Sequence, residues 1–220
     1  MINFSEYIVE DKKKPEGFHV FDMDDTLVYH DGHKLRVHVL DPSGNRVKTL
    51  TNQEYNTHKL PANHTYDFNE FRSSDIFAQS AKPIHSMISK LKSINKRGGK
   101  TAILTARSDL DDKDKFAHHM LKHGIDIDKT HVYRAGNIEG EAAVTKALIM
   151  HDLLNKHGHK KVHLYDDCFE NLDKFLKLKK HFPETEFHAH HINHDSKTGK
   201  VKISTTSLTE KPSDKEKAKK

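Results

Sequence analysis

The chain has 220 residues, of which 34% are hydrophobic and 31% charged, enough for one sizeable domain with a modest insertion. No apolar run reaches the roughly 20 residues that span a bilayer, no basic-then-apolar secretory signal is visible, and Cys168 is the only cysteine. Disulfide scaffolds and cysteine-based zinc sites are thereby excluded, a reducing cytosol is expected, and the net charge of +5 is too mild to argue for nucleic acid by itself.

Residues 1–17 read as a lead-in. Phe18-His19-Val20-Phe21 is a short apolar run of the kind buried parallel strands carry, and it leads straight into Asp22, Asp24 and Asp25, followed by Thr26. If the alternation of a strand continued, Asp22 and Asp24 would point one way and Met23 and Asp25 the other. Two like charges at one strand end repel unless a cation lies between them, and a divalent metal suits hard oxygen ligands. A solvated loop or a helix cap would explain one or two of these acids, but not a pair set directly after so strand-like a run.

Residues 35–40 and 46–50 alternate apolar and polar around Asp41-Pro42-Ser43-Gly44-Asn45, which predicts an antiparallel hairpin. A short helix capped by Thr51 and an aromatic connector from Tyr66 to Phe71 complete an insertion over roughly residues 29–80. From Pro83 the pattern turns to alternating helices and strands. Helices are predicted over residues 84–97, 109–123, 143–157 and 168–180, the last with Phe169, Leu172, Phe175 and Leu176 inward, and strands over residues 100–104, 130–133 and 161–165. Residues 186–192 and 200–203 read as an edge hairpin. This order implies an α/β fold with a Rossmann-like parallel sheet covered on both faces. The main domain would run from residue 18 to 203, and the lysine-bearing tail over 204–220 would be disordered.

The strand ends carry polar signatures. The strand ending in Leu104 is followed by Thr105-Ala106-Arg107, and the strand ending in Tyr165 by Asp166-Asp167. Lys146 stands near the start of a helix, after the loop from Arg134 to Glu141. Each alone has an ordinary explanation as a cap or a solvated group. In this order, Asp22-Met23-Asp24-Asp25-Thr26, Thr105, Lys146 and Asp166-Asp167 resemble the four motifs of the haloacid dehalogenase-like phosphohydrolase superfamily, over roughly residues 18–180. Arg107 at its offset from Thr105 resembles the phosphatase half of phage polynucleotide kinase-phosphatases. A looser similarity extends to small stand-alone phosphatase-like proteins of tailed phages.

The resemblance implies a Mg²⁺-dependent phosphomonoesterase in which Asp22 is the nucleophile that becomes an aspartyl phosphate, and Asp24 first protonates the leaving oxygen and then activates water. It implies metal ligation by Asp22, the main-chain carbonyl of Asp24, Asp166 and Asp167. Thr105 and Lys146 would stabilise the transferring phosphoryl group, with Lys129 and Lys160 as neighbouring alternatives to Lys146. Thr26 and Arg107 are expected to bind substrate, although Arg107 could equally pair with Asp109 or Asp111. Superfamily phosphatases often have glycine where Asp25 stands. The insertion takes the place of the superfamily's cap. It looks small enough to leave the site open to a nucleic-acid or nucleotide 3′-phosphate, with His30, His33, Lys34 and Arg36 nearby. Alternatives are a phosphatase for a small metabolite or 5′-nucleotide, and a catalytically silent module that holds metal and nucleic acid. His188, His190, His191 and His194 form a further candidate metal cluster, for zinc or nickel.

Overall fold

A computed structural model describes residues 17–30, 35–55, 57–127 and 130–209. Most of the lead-in, His33, Lys34, Lys129 and residues 210–220 lie outside them. The fold is α/β, and the central sheet has six strands in the order β11-β10-β9-β1-β7-β8. β1 (Phe18–Phe21) is wholly buried at the centre, between β7 (Lys100–Thr105) and β9 (Lys161–Asp166), and parallel to both. β8 (His131–Arg134) extends the parallel set beyond β7, and β10 (Glu186–His194) extends it beyond β9. β11 (Val201–Leu208) closes the far edge antiparallel to β10.

Strand alternation sends Phe18 and Val20 to one face of the sheet and Phe21 to the other, and each face has its own core. On the first face, α6 (Ala142–His157) and α7 (Phe169–Lys177) lay Met150, Leu153, Leu154, Leu172 and Phe175 against Val20, Leu104 and Leu164. On the second, α4 (His85–Lys96) and α5 (Lys113–Lys122) bring Met87, Leu91, Phe116 and Met120 to Phe21 and Ile103. The boundaries follow local chemistry. Asp112 caps α5 by accepting from the Lys115 N–H at 2.9 Å, so this helix starts four residues later than its acidic run suggested. Gly158, at φ +58°, ends α6 in the left-handed conformation.

The residues after β1 form a separate set of short elements. β2 (Val28–His30) pairs antiparallel with β6 (Ala81–Pro83), so that the chain enters and leaves the insertion through a two-stranded stem. Beyond the stem, β3 (Val37–Leu40) is flanked by β4 (Arg46–Leu50) and β5 (Thr65–Asp67). Val37, Val39 and Leu50 make a small core there with Tyr55, Tyr66 and Phe71. The predicted hairpin is present, and Thr51 with Glu54 forms a capping box at α1 (Asn52–Tyr55). The third strand and the helices α2 (Asn69–Arg72) and α3 (Ser74–Ser80) replace the expected connector. α3 ties the insertion to the loop before α5. The Ser74 N–H donates to Asp111 Oδ1 at 2.8 Å, its hydroxyl to the Asp112 carbonyl at 2.7 Å, and Phe77 packs on Phe116 with ring centres 5.0 Å apart.

Two expectations are corrected at the C-terminal side. Ser204 to Leu208 is not a disordered tail but the second half of β11, because its hydroxyls satisfy β10: Thr205 Oγ1 is 2.8 Å from His190 Nδ1, and Ser207 Oγ 2.8 Å from His188 Nδ1. Phe169 does not face inward. It is the first residue of α7 and is 71% exposed, while Leu172 and Phe175 carry the packing.

Across the α4 side of the sheet run two rows of stacked rings. His19, His163 and His188 stack at 4.2 and 4.5 Å, and Phe21, Tyr165 and His190 at 4.4 and 4.3 Å. His163 Nδ1 and His190 Nε2 are hydrogen-bonded at 3.0 Å, joining the rows. These contacts bear on the expected histidine metal cluster. His188 and His190 do share a face of β10, yet their Nδ1 atoms are taken by β11 hydroxyls and His190 Nε2 by His163. Among the described residues the histidines of β10 do not form a group of three or more converging ligand atoms.

Candidate functional site

The carboxyl ends of β1, β7 and β9 converge, which is where open α/β sheets place their ligands. β1 ends at Phe21, one residue before the first acid. Residues 22–28 then form a tight turn, with the Leu27 and Val28 N–H groups donating to the Met23 carbonyl at 2.9 and 3.0 Å. Strand alternation therefore stops before it reaches Asp24. Asp25 lies at φ +57°, a conformation that glycine adopts freely and that Asp and Asn tolerate better than most residues. That is the physical reason an aspartate can stand where the resembling family often has glycine.

The turn separates the first two acids into different environments. Asp22, 5% exposed, faces Lys146, whose ammonium donates to Asp22 Oδ1 at 2.8 Å and to Asp166 Oδ2 at 2.9 Å. Asp166, the last residue of β9, also accepts from the Cys168 N–H at 2.9 Å and from Asn171 Nδ2 at 2.9 and 3.0 Å. Carboxylate oxygens of Asp22, Asp166 and Asp167 lie within 4.8 Å of one another. Among the described residues no protein donor reaches the Asp167 carboxylate. Burial pushes the Asp22 carboxyl up to about 7 despite Lys146, with Asp166 adding to the rise. Burial raises Asp167 as well, and Asp166 and Asp22 add to it. If all three carboxyls ionise, they leave an excess of two negative charges over the one ammonium, which a divalent ion bound by oxygen ligands would balance. The donor set therefore fits a hard divalent cation.

Asp24 belongs to a second cluster. Arg107, 3% exposed, donates from Nε to Asp24 Oδ2 and from Nη2 to Oδ1, both at 2.8 Å, and from Nη1 to the Phe71 carbonyl at 2.7 Å. Its guanidinium also lies 5.0 Å from the ring centres of Phe71 and Phe77. His30 Nε2–H donates to Asp24 Oδ1 at 2.8 Å, and His30 Nδ1 is 2.9 Å from Ser80 Oγ. Burial works against the Asp24 charge, yet Arg107 and His30 outweigh it and hold the carboxyl well below the usual carboxylate range.

The structure thus brings Asp22, Lys146, Asp166 and Asp167 together, and Asp24 with Arg107 beside them. Thr105 is buried, and its Oγ1 accepts from the Arg107 N–H at 3.1 Å, fixing the turn that aims Arg107. Three expectations change. Arg107 is neither a free phosphate fork nor a partner of Asp109 or Asp111, because Asp24 and Phe71 use its donors; Asp109 pairs with Arg134 at 3.2 Å instead. Thr26 is wholly buried with its hydroxyl unpartnered, so it does not line a substrate surface. Lys160 is exposed, and Lys129 lies outside the described residues.

Ser80 and Asn171 were not legible as site residues. His30 was read as lying near the open site, but its contact with Asp24 was not legible, because it depends on the stem that folds His30 back over that acid. Asn171 had a faint signal, as a weak helix former inside a helix that begins just after paired aspartates. Behind Arg107 a close approach is built into the backbone: a Cβ on Gly136 would stand 2.3 Å from the Ala106 carbonyl oxygen and 2.5 Å from the Ser108 nitrogen. Comparison of the sequence with protein-family models and with curated proteins finds no match.

Proposed function

We propose that the chain is a haloacid dehalogenase-like phosphomonoesterase that acts through Asp22, with Mg²⁺ as its cofactor and a nucleic-acid or nucleotide 3′-phosphate as its substrate. The observation that carries this reading is the Lys146 ammonium bridging Asp22 and Asp166, residues 124 and 20 positions away in sequence. Three of the four motifs thereby meet at one sheet edge, with the fourth, Thr105, at the end of the adjoining strand β7, and the sheet's order, with β1 between β9 and β7, suits the Rossmann-like core of that superfamily.

The chemistry follows from what each group can do. An Asp22 carboxylate oxygen attacks phosphorus, the P–O bond to the leaving group breaks, and the departing oxygen takes up a proton. Water then attacks the aspartyl phosphate, releasing inorganic phosphate and restoring the carboxylate. Mg²⁺ held by Asp22, Asp166 and Asp167 would neutralise charge on the phosphoryl oxygens and keep Asp22 ionised. Lys146 orients the attacking carboxylate, and Asn171 and the Cys168 N–H hold Asp166 in place. The Thr105 hydroxyl is free to donate, since its contact with Arg107 uses it as an acceptor. Asp24, gripped by Arg107 and His30, is unprotonated in this arrangement, the state that accepts a proton from the attacking water. Donating one to the leaving group requires Asp24 to be released from Arg107.

The test is phosphate release from a 3′-phosphorylated oligonucleotide, with and without Mg²⁺, by the wild type and by Asp22→Asn. Release that needs both the metal and Asp22 is the expected result. Release that survives Asp22→Asn overturns the assignment of the nucleophile. Activity confined to small phosphates moves the substrate to the metabolite class.

A further inference from the structure

We propose that Phe169 is a stacking platform for an unpaired nucleobase of the substrate, set at the rim of the acidic centre. The proposal rests on the phosphatase reading for its choice of ligand. Single exposed apolar residues are common on protein surfaces and need no explanation. Phe169 differs in three respects. At 71% exposed it is the most open of the large apolar side chains among the described residues. It follows Asp167 by two positions, at the carboxyl end of β9 where the carboxylates converge. Its ring is also held in place: His191 of β10 stacks beneath it with ring centres 3.8 Å apart and planes 17° from parallel.

His191 is itself fixed to the site, because its Nε2–H donates to the Asp167 main-chain carbonyl at 2.9 Å. The sequence of contacts is therefore short, from Asp167 to His191 to Phe169. With one face covered by the imidazole, the other face and edge of the phenyl ring carry the exposure. A flat, immobilised π-face beside an acidic phosphate site matches the chemistry of a nucleobase: every base has a π-face, and stacking on an aromatic side chain contributes about 1–3 kcal/mol. Immobilising the ring in advance lowers the ordering cost when the base arrives. A base next to the reacting 3′-phosphate would be received without sequence preference, since stacking reads no hydrogen-bond pattern.

The test measures binding, so that it is read separately from turnover. Full-length Asp22→Asn protein with Mg²⁺ is titrated with a short 3′-phosphorylated thymidylate strand, and with the same strand carrying an abasic 3′-terminal nucleotide that keeps its phosphate. Adding Phe169→Ala should weaken binding of the intact strand by about 5–150-fold and leave binding of the abasic strand unchanged. Phe169→Trp should restore or exceed the original affinity. Equal affinities for the two strands before the second substitution, equal losses on both after it, or no binding of the intact strand would each overturn the platform. If the wild type hydrolyses the strand but affinity does not depend on Phe169, the platform fails while the phosphatase reading stands. Binding that depends on both the base and Phe169, with no hydrolysis by the wild type, supports the platform and overturns the phosphatase reading.

Discussion

The two stacked rows on the α4 side of the sheet make stability depend on pH in a way that can be worked out. Burial, together with neighbouring imidazoles, holds His163 down to about 2 and His190 down to about 4, whereas in the unfolded chain each titrates near its ordinary value of about 6.5. Below that value the unfolded chain binds more protons than the folded one, so folding loses stability as the pH falls. The contribution is fully present above about pH 6.5 and shrinks towards about pH 4, where His190 also charges in the fold. Between about pH 8 and about pH 5, linkage gives about 2 kcal/mol for each ring. Partial exposure of both side chains to solvent reduces the expected sum to about 2–3 kcal/mol. Burial raises Asp22 and Asp167, which take up protons in the fold over the same range and oppose this loss. The histidine contribution is therefore read as a difference: in urea unfolding followed by circular dichroism, the wild type should lose about 1–1.5 kcal/mol more than His163→Phe between these pH values. His163→Phe keeps a flat ring in the row without a titrating group, and should remove about half of the contribution of the two rings. A His163→Phe pH dependence equal to the wild type's would refute the reasoning.

Other expectations concern the site. Asp22→Asn should lower phosphate release by about 10⁴-fold or more in a turnover assay while the circular dichroism spectrum is unchanged, because it removes the proposed nucleophile at almost constant volume. Arg107→Met leaves the Asp24 charge with His30 alone and should cost about 2–4 kcal/mol, read as a fall in Tm of roughly 4–15 °C; an unchanged Tm would show that the pair is held by other contacts. Gly136→Ala drives a methyl group into the Ala106 and Ser108 backbone, and should cost about 1–3 kcal/mol and lower turnover by shifting the loop that carries Arg107. Asn171→Leu strips two hydrogen bonds from Asp166 and should cost about 1–3 kcal/mol in thermal unfolding. Recovery of that loss on adding Mg²⁺ would show the ion standing in for the lost donors.

The central strands were legible because burial on both faces leaves continuous apolar runs, and the polar residues that end those runs stand out. The short elements of the insertion were not. β5 and β6 are three residues each, too short for a periodic signal, and they exist because β3 and β2 present unpaired edges to them. Phe169 shows a different limit. Its spacing to Leu172, Phe175 and Leu176 fits an inward stripe, but a helix's first residue projects past the sheet it packs on. The resemblance assigned Asp22 and Asp24 separate roles, but their separate surroundings were not legible, since those depend on a turn in which Asp25 adopts a positive φ. Arg107 was recognisable as unusual, yet its partner lies 83 positions away, and only the fold says which acid it meets.

The central position of β1 sets a schedule for biosynthesis. β1 has no sheet neighbour until β7 has been made, and its second flank stays bare until β9 follows; His19 and Tyr165, which meet across that flank, are 146 positions apart. At about 5–20 residues per second, roughly 7–30 s separate their appearance from the ribosome. During that interval an apolar strand ending in three aspartates waits without its partners, and neither Lys146 nor Asp166 is yet in place. The three carboxylates keep that waiting strand soluble, because acidic residues beside an apolar run oppose its association with other chains.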